Sequence, residues 1–391
     1  MEKPDKHLYP SVHEGIVRAA LIALAAHDPD AASRFSVTDA QILVSEAAAP
    51  DRIGDRQQGR GMHYYCAVTP EGETLPAHPL THSFCNGKHR YAPSPLTMLD
   101  AEYRAALALN RAGKRQAAMR SLSRAMHMLA DICCPPHSCG LTYFSHYAYA
   151  HKRYEARAAE LFRGCPEQDW AAQIADIIPE YKGLLRGTFP DKDGTWHAGT
   201  LTEICNALAR SGAEELPAVL GDDKNLRDRS IVRRLRASVA NCTALLSAFD
   251  RDMREDAPCI WREHHPYWLK SVGTAFVVSK EPLYLEFADD GAVKLSTQDG
   301  RFLAVSRLGS VYLTSQTAGL TTSFRFGREP LLTLYPDGDQ TYLLSMSRGS
   351  LHCVRRSAVR RSTGFSMQTA FVLANQPPAH ARFVFRGYEF L

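Results

Sequence analysis

The sequence predicts a two-domain protein in which an all-α domain is followed by an all-β domain. Two observations predict this order. From Ser11 to about Asp250, apolar residues recur at helical spacing in segments rich in Ala, Leu and Arg, such as YEARAAELF. From Ser271 onwards, short alternating segments such as AFVVS, LYLEF and SVYLTS are separated by turn residues, which is typical of β-strands.

Length and charge narrow the class of protein. The chain has 391 residues, enough for two domains, and a formal net charge of +4, too small to imply nucleic acid as a partner. No apolar run is long enough to cross a membrane. The stretch from Ile16 to Ala26 resembles the core of a signal peptide, but Arg18 interrupts it. We interpret it as a buried helix, so no cleavable signal peptide is visible.

The domain boundaries follow from these changes of pattern. We place the helical domain at residues 1–250, a linker at 251–270 and the β domain at 271–391. The β domain contains an internal repeat of about forty residues, which favours a β-trefoil over its competitor, a two-sheet sandwich. The dipeptides Phe302-Leu303 and Gly309-Ser310 recur as Tyr342-Leu343 and Gly349-Ser350.

Cysteine spacing does not indicate a zinc finger. The ten cysteines include the adjacent pair Cys133 and Cys134, followed by Cys139, and none of these spacings makes the paired clamps that a zinc finger needs. We interpret the cysteines as buried thiols, ahead of disulfides in an exported protein and of metal ligation.

Two helical motifs place an imidazole and a carboxylate one turn apart. His127 and Asp131 lie at positions i and i+4, and His151 and Glu155 repeat this spacing on the next helix. Each pair alone is explained by a hydrogen bond on a helix face. Together they indicate clamps for divalent cations. Between them, two prolines end the first helix just before His137, which the break can turn towards the same pocket.

Further oxygen and nitrogen donors precede these helices. SVHEGIV supplies His13, and APDRIGDRQQGRGMHYY supplies Asp51 and His63. Eight such donors fall within the first 155 residues, which is a sufficient set for more than one metal ion.

The order of these motifs resembles the bacterial zinc-dependent phospholipase C family of the alpha-toxin type. The family has an early T-H-x-x-I-V, then P-D followed by a histidine, then A-M-H-x-x-x-D-I-x-x-P-x-H, then H-x-x-x-E. This chain carries SVHEGIV, PDRIGDRQQGRGMH, AMHMLADICCPPH and HKRYE in the same order. The resemblance covers residues 10–160. It extends to about residue 250 because the apolar residues keep their helical spacing that far. It implies a helical catalytic domain that binds two to three zinc ions.

The resemblance also implies a ligand set for each ion. One site would use Asp51, His63, His127 and Asp131, and a second would use His137, His151 and Glu155. A third would use His13, a bridging Asp131 and the amino terminus of the chain. The family begins its mature chain with a tryptophan, whereas the first tryptophan here is Trp170. A free terminus at Met1, Glu2 or Lys3, or the side chain of His7, would take that role.

The implied reaction is hydrolysis of the glycerol-side phosphodiester of a glycerophospholipid, with release of diacylglycerol and a phosphorylated head group. A zinc-bound hydroxide would attack phosphorus, and Asp51 would orient or deprotonate it. Arg52, Tyr64 and Tyr65 are the expected head-group residues. The implied protein is a secreted or exported monomer that meets its phospholipid substrate at a membrane surface.

Two other functions stay open. Zinc nucleases of the related fold share H-x-x-x-D-I-x-x-P-x-H and act on single-stranded nucleic acid, but they usually close with H-x-x-x-D, so Glu155 favours the phospholipase. Alternatively, an inactive helical domain would carry a trefoil-like module that binds lipid or glycan. The basic cluster RRSAVRR in the β domain is either a solvated face or a contact with anionic lipid.

Overall fold

The fold is described from a computed structural model of the chain. The residues that it describes are 11–52, 55, 63–75, 81–85, 88–92, 94–142, 146–179, 188–190, 196–198, 201–254, 267–271, 276–287, 292–326, 334–336, 342–347, 350–355, 371–374 and 380–385. Within these ranges, no helix is both long enough and apolar enough to span a membrane.

The predicted order of a helical part and a β-rich part is confirmed. The chain divides into two compact units, one comprising Met1–Asn86 and Ser94–Glu263, the other Gly87–Pro93 and His264–Leu391. The last helix continues to Arg254 and the first strand of the β unit begins at Trp268. Most of the predicted linker, including His264 and His265, lies outside the described residues.

The helical unit contains eleven described α-helices and one short 3₁₀ helix. The α-helices are α1 (Val12–His27), α2 (Pro29–Ala32), α3 (Val37–Glu46), α4 (Pro95–Arg111), α5 (Arg115–Cys133), α6 (Pro135–Ser138), α7 (Ala148–Arg163), α8 (Glu167–Ala172), α9 (Leu201–Ala213), α10 (Leu216–Leu220) and α11 (Lys224–Arg254). The 3₁₀ helix is Ala49–Asp51. The short strands β1 (Thr81–Cys85), β2 (Lys88–Ala92), β3 (Thr188–Pro190) and β4 (Trp196–Ala198) lie between helices in the chain.

Local capping explains where the first helices begin. At the start of α1, the Glu14 amide donates to Ser11 Oγ at 3.2 Å, and the Ser11 amide donates to Glu14 Oε2 at 3.1 Å. Ser36 and Asp39 make the same reciprocal pair at the start of α3. Such capping boxes satisfy amide groups that a helix N-terminus otherwise leaves without partners.

Helix α5 forms the centre of the helical core. It packs against α3, α4 and α11, and its side chains are buried from Leu122 to Cys133, Arg124 excepted. Met126 and Leu129 are fully buried, as are Leu245 and Leu246 of α11. Burying each such side chain contributes about 1.5–3 kcal/mol, so α5 is held rigidly in the interior. The packing of the whole helix therefore fixes the positions of His127 and Asp131, which lie four residues apart on α5.

Helix α5 ends where the proline pair predicts. Its last residue is Cys133, and Cys134 adopts an extended conformation before the four-residue helix α6. The hydroxyl of Ser138 donates to the carbonyl groups of Ile132, at 3.0 Å, and Cys134, at 2.9 Å. These bonds fasten α6 to the end of α5, and they fix the turn on which His137 lies.

The described part of the β unit forms two sheets and a hairpin. Its strands are β5 (Trp268–Ser271), β6 (Phe276–Ser279), β7 (Tyr284–Phe287), β8 (Val293–Ser296), β9 (Phe302–Val305), β10 (Val311–Thr314), β11 (Ser323–Phe326), β12 (Leu334–Pro336), β13 (Tyr342–Ser347), β14 (Ser350–Arg355), β15 (Phe371–Ala374) and β16 (Arg382–Phe385). One sheet has the order β10-β9-β8-β11-β12, with β7 also paired to β8. The other has the order β15-β5-β6-β16, in which β16 runs parallel to β6.

Both copies of the forty-residue repeat contain an antiparallel hairpin. Strand β9 pairs with β10 in the first copy, and β13 pairs with β14 in the second. The choice between a trefoil and a sandwich stays a prediction. Residues 356–361, which complete the basic RRSAVRR cluster after Arg355, lie outside the described residues.

We expect Gly15→Ala to destabilise the helical unit. A Cβ at Gly15 would lie 2.3 Å from Cε1 of Phe162, whose ring stacks on Trp170 at 5.2 Å between centroids. The overpacking should lower the free energy of unfolding by about 1–3 kcal/mol. This cost exceeds the gain in helix propensity, which is at most about 1 kcal/mol.

Denaturant unfolding of this variant beside Gly164→Ala checks the expectation. Gly164 has a φ of −75°, and a Cβ there would lie no closer than 3.4 Å to its neighbours, so the control should be neutral or slightly stabilising. Equal stability of the two variants would contradict the packing described for α1 and α7.

Candidate metal centre

The first group of candidate ligands joins α1, the 3₁₀ helix and α5. His13 Nε2 lies 3.9 Å from Asp51 Oδ2, and His127 Nε2 lies 3.7 Å from Asp51 Oδ1. The rings of His13 and His127 stack with their centroids 3.8 Å apart. One ligand atom from each of these three residues lies within 4.8 Å of the others. This spacing suits a set of ligands around one cation.

The second group shares His127 with the first. His63 Nδ1 lies 2.8 Å from Asp131 Oδ2, and His127 Nε2 lies 3.3 Å from the same oxygen. The two imidazole nitrogens are 3.3 Å apart. His127 and Asp131 are therefore on one face of α5, as their i, i+4 spacing predicts, and His63 reaches that face from a distant point in the sequence.

The third group joins α6 and α7. His137 Nε2 lies 3.2 Å from Glu155 Oε1, and His151 Nε2 lies 2.7 Å from the same oxygen. His151 is fully buried, whereas the Glu155 side chain is 36% exposed. The proline break before α6 has turned His137 towards the ligand pair on α7, so both helical motifs contribute to one region of the molecule.

Asp131 connects all three groups. Its Oδ2 faces His63 and His127, and its Oδ1 lies 3.6 Å from His13 Nε2 and 3.2 Å from His137 Nδ1. The residue is only 2% exposed. A buried carboxylate with imidazoles on both oxygens is placed to bridge two cations, because each oxygen faces a different set of nitrogen donors.

Two backbone carbonyl groups orient the deepest histidines. His127 Nδ1 lies 2.7 Å from the Ala47 carbonyl oxygen, and His151 Nδ1 lies 2.5 Å from the Leu141 carbonyl oxygen. A carbonyl accepts a hydrogen bond, so Nδ1 carries the proton in both rings. Each Nε2 then faces the other candidate ligands, and an Nδ1–H bonded to a carbonyl group is the arrangement that metal-binding histidines use.

Two buried nitrogens in this region are without a hydrogen-bond partner among the described residues. They are Nδ1 of His13 and Nδ1 of His137. His137 Nδ1 is 3.2 Å from Asp131 Oδ1, but the two atoms are not aligned as a hydrogen bond. Buried polar atoms are almost always satisfied, so His137 Nδ1, which faces the Asp131 carboxylate, fits a cation as its missing partner.

Burial and neighbouring charges shift the ionisation of the cluster. Burial, with the adjacent His127, lowers the pKa of His13 to about 4, so this imidazole is neutral and available as a ligand at neutral pH. Burial opposes ionisation of the Asp131 carboxyl, yet the imidazoles of His137 and His127 hold its pKa well below its usual range. The pKa of Glu155 is lowered against burial by its hydrogen bonds to His137 and His151.

The predicted head-group residues lie in different surroundings. The ring of Tyr64 lies 4.9 Å from that of His137 and 6.0 Å from that of His151, so Tyr64 borders the ligand cluster. Tyr65 is 3% exposed and belongs to the helical core. The Arg52 guanidinium donates to the Ser45 carbonyl at 2.8 Å, at the end of α3. Their role in binding a head group stays a prediction.

The structure brings together the eight ligands predicted from the sequence, and they fall into the three groups described above. Binding of metal by these residues stays a prediction. The expected contribution of the amino terminus, Met1, Glu2, Lys3 or His7, lies outside the described residues. The sequence analysis missed the carbonyl groups of Ala47 and Leu141, because every residue carries a carbonyl and no sequence pattern distinguishes these two.

Four buried cysteines agree with the interpretation as core thiols. Cys133, Cys139, Cys205 and Cys242 are buried and not in disulfides. Burial raises the pKa of the Cys133 thiol to about 12, so this thiol is protonated at neutral pH. A protonated thiol is a poor metal ligand and a poor nucleophile.

Comparison with known proteins finds similar solved structures, among them two alpha-toxins. Alpha-toxin of Clostridium perfringens, isolated from avian strain SWCP, is 11% identical with a TM-score of 0.46, and the match covers 94% of this chain and 96% of that one. Alpha toxin of Clostridium absonum is 13% identical with a TM-score of 0.49, and the match covers 85% of this chain and 91% of that one. No family model and no curated protein matches the chain. With both TM-scores below 0.5, the function has to come from the chemistry of the cluster itself.

We expect Asp131→Asn to reduce bound metal and thermal stability together. The substitution removes the carboxylate that faces all three groups, and bound metal stabilises the folded state by mass action. At a metal concentration of 100 times the dissociation constant, that stabilisation is about 2.7 kcal/mol. Elemental analysis and thermal melts with and without chelator measure both effects.

Asp252→Asn is the matched control. Asp252 is 1% exposed and accepts from Tyr103 Oη at 2.9 Å, so its loss should lower stability without loss of metal. A metal content that stays unchanged in Asp131→Asn would contradict the connecting role of this carboxylate.

Proposed function

We propose that the chain is a zinc-dependent phospholipase C that hydrolyses the glycerol-side phosphodiester of a glycerophospholipid. The observation that supports this most is the convergence of eight donors from six separate elements and segments, with the buried carboxylate of Asp131 facing four of the imidazoles. The motif order in the sequence connects that cluster to the phospholipase family. The proposal includes two to three zinc ions and a phospholipid substrate at a membrane surface.

The donor set supports zinc as the metal. Five imidazoles and three carboxylates make up the cluster. Calcium and magnesium prefer oxygen ligands throughout, whereas zinc is held by mixtures of histidine and carboxylate. The first two groups share His127, and Asp131 faces a histidine of every group, which supports closely spaced ions rather than a single site. When bound, zinc lowers the pKa of its water to about 7 and acts as a Lewis acid towards phosphoryl oxygens.

Asp51 is the residue that we assign to the attacking water. Its side chain is 53% exposed, whereas Asp131 is almost fully buried, so the two carboxylates have different access to solvent. Asp51 therefore orients the water and accepts its proton, while Asp131 holds its position among the imidazoles. His127 and His151 are both buried, so bulk water is excluded from the inner side of the cluster.

Tyr64 is the head-group residue that the geometry supports best. Its ring lies beside His137 and His151, so it can present an aromatic face to a group bound near those histidines. Aromatic faces attract quaternary and primary ammonium groups. Tyr65 is in the core and Arg52 is engaged by Ser45, so Tyr64 is placed better than either to contact the substrate.

The β unit is proposed to bring the enzyme to a lipid or glycan surface, and we retain the trefoil as its proposed architecture. Leu308 is 95% exposed at the turn between β9 and β10, and it follows the exposed residue Arg307. An apolar side chain beside a cation suits the boundary between lipid head groups and acyl chains. We also propose that the protein is exported and that it acts as a monomer.

A substrate assay tests the reaction directly. Purified protein supplied with zinc should release diacylglycerol and a phosphorylated head group from vesicles of phosphatidylcholine, phosphatidylethanolamine or phosphatidylglycerol. Single-stranded DNA should stay intact. Cleavage of DNA alone would replace the phospholipase with the nuclease, and absence of both activities in a zinc-loaded protein would favour the inactive domain that carries a binding module.

We expect Asp51→Asn to lower kcat by about 10²–10⁴-fold, the usual contribution of general acid–base catalysis. The amide that replaces the carboxylate keeps its size but does not accept the proton of water at neutral pH. Steady-state hydrolysis of short-chain phospholipid measures kcat, with Asp176→Asn as the control because Asp176 pairs with Arg236 away from the ligand cluster. A kcat in Asp51→Asn equal to that of the control would contradict the assignment.

A further inference from the structure

Arg124 and Asp55 form an ion pair next to the metal centre but outside its ligand set. Arg124 lies on α5 three residues before His127, and Asp55 lies in the segment between Asp51 and His63. Arg124 Nη1 donates to Asp55 Oδ1 at 2.9 Å, and Nη2 donates to Oδ2 at 2.7 Å. This two-bond geometry fixes both the distance and the orientation of the carboxylate.

The pair is shielded from solvent. The side chains of Arg124 and Asp55 are only 12% and 14% exposed. Ion pairs at an exposed surface contribute little because water screens them and both side chains lose entropy. Arg124 and Asp55 escape most of that screening, and the Asp55 hydrogen bond raises the pKa of Arg124. Glu46 adds a second carboxylate 3.9 Å from Arg124 Nη2.

Backbone hydrogen bonds connect the ion pair to the residues on either side of Asp51. The Asp55 amide donates to the Arg52 carbonyl at 3.0 Å, and the Arg52 amide donates to the Ala49 carbonyl at 3.1 Å. These two hydrogen bonds connect Asp55, through Arg52, to the 3₁₀ helix that carries Asp51. Asp51 is therefore held between α3, through the bond from Arg52 to Ser45, and α5, through Arg124.

We propose that the Arg124–Asp55 pair is a positioning device that sets Asp51 against His127 and Asp131. The pair joins one helix, which carries two ligands, to the one segment that carries the two ligands outside any α-helix. It touches neither the reacting atoms nor the metal ligands in the described contacts. The proposal rests on the metal centre of the proposed function, and it assigns to this pair a share of the affinity for zinc.

Three variants test the proposal through zinc affinity, measured by competition with a chromophoric chelator. Arg124→Gln and Asp55→Asn should each weaken zinc binding by about 10–100-fold, the usual effect of residues that orient metal ligands. The double variant should be no weaker than the worse single variant, because each change removes the same contact. Asp55→Asn keeps the size of the side chain and decides the outcome if Arg124→Gln does not fold.

Arg120→Gln is the matched control. Arg120 lies one turn before Arg124 on α5 and is 52% exposed, and its ion-pair partner among the described residues is Glu46, at 3.8 Å. Its zinc affinity should equal that of the unchanged protein. Thermal melts in excess chelator separate positioning from simple stabilisation: a purely structural pair would lower stability without metal and leave zinc affinity as it was.

The same titrations separate this proposal from the proposed function. Equal zinc affinity in Arg124→Gln, Asp55→Asn and Arg120→Gln would overturn the positioning role while leaving the metal centre in place. An unchanged protein that binds no zinc would overturn the metal centre and the positioning role together. Additive losses in the double variant would also count against a single shared contact.

Discussion

The buried carboxylate of Asp131 is the constraint on which the rest of the helical unit depends. An ionised carboxylate in an apolar interior is very costly unless charge and hydrogen bonds compensate it. Here His63 and His127 face one oxygen, and His13 and His137 face the other. The position of Asp131 follows from α5, whose apolar side chains are packed on several sides. A helix packed on several sides thus holds a buried carboxylate in place.

The imidazoles compensate the charge of Asp131, but they leave some polar atoms of the cluster without partners among the described residues. Two of the imidazole nitrogens lack a hydrogen-bond partner among the described residues, and the carbonyl groups of Ala47 and Leu141 accept from Nδ1 of His127 and His151. The remaining ring nitrogens face the carboxylates, where a cation would bind both kinds of group at once. Metal binding and folding are coupled in such an arrangement, because the site does not exist in the unfolded chain. The Arg124–Asp55 pair extends this coupling to the segment that supplies Asp51 and His63.

Local geometry was predictable from the sequence, and long-range geometry was not. The i, i+4 spacing of His127 with Asp131 is a property of any helix, and the end of α5 follows from the two prolines that come after it. The pairing of Arg124 with Asp55 depends on the path of the loop, which no spacing encodes. Only the resemblance to a family connected His13 and His63 with the later motifs, since composition and periodicity do not bring separate segments together.

In the β unit too, local structure was predictable from the sequence and long-range structure was not. Alternation of apolar and polar residues predicts short strands, and the forty-residue repeat corresponds to two antiparallel hairpins. Which strands become neighbours in a sheet is a long-range property, so the repeat alone does not choose between a trefoil and a sandwich. In the helical unit, α11 extends to Arg254, and its last turn is polar apart from Met253, so the end of this helix is weakly marked in the sequence.

The most direct test of the account is the metal content and metal positions of protein prepared without chelator. Elemental analysis combined with anomalous diffraction at the zinc edge should find two to three zinc ions per chain, bound within the cluster that surrounds Asp131. Less than one zinc ion per chain, or zinc bound only at other residues, would contradict the account.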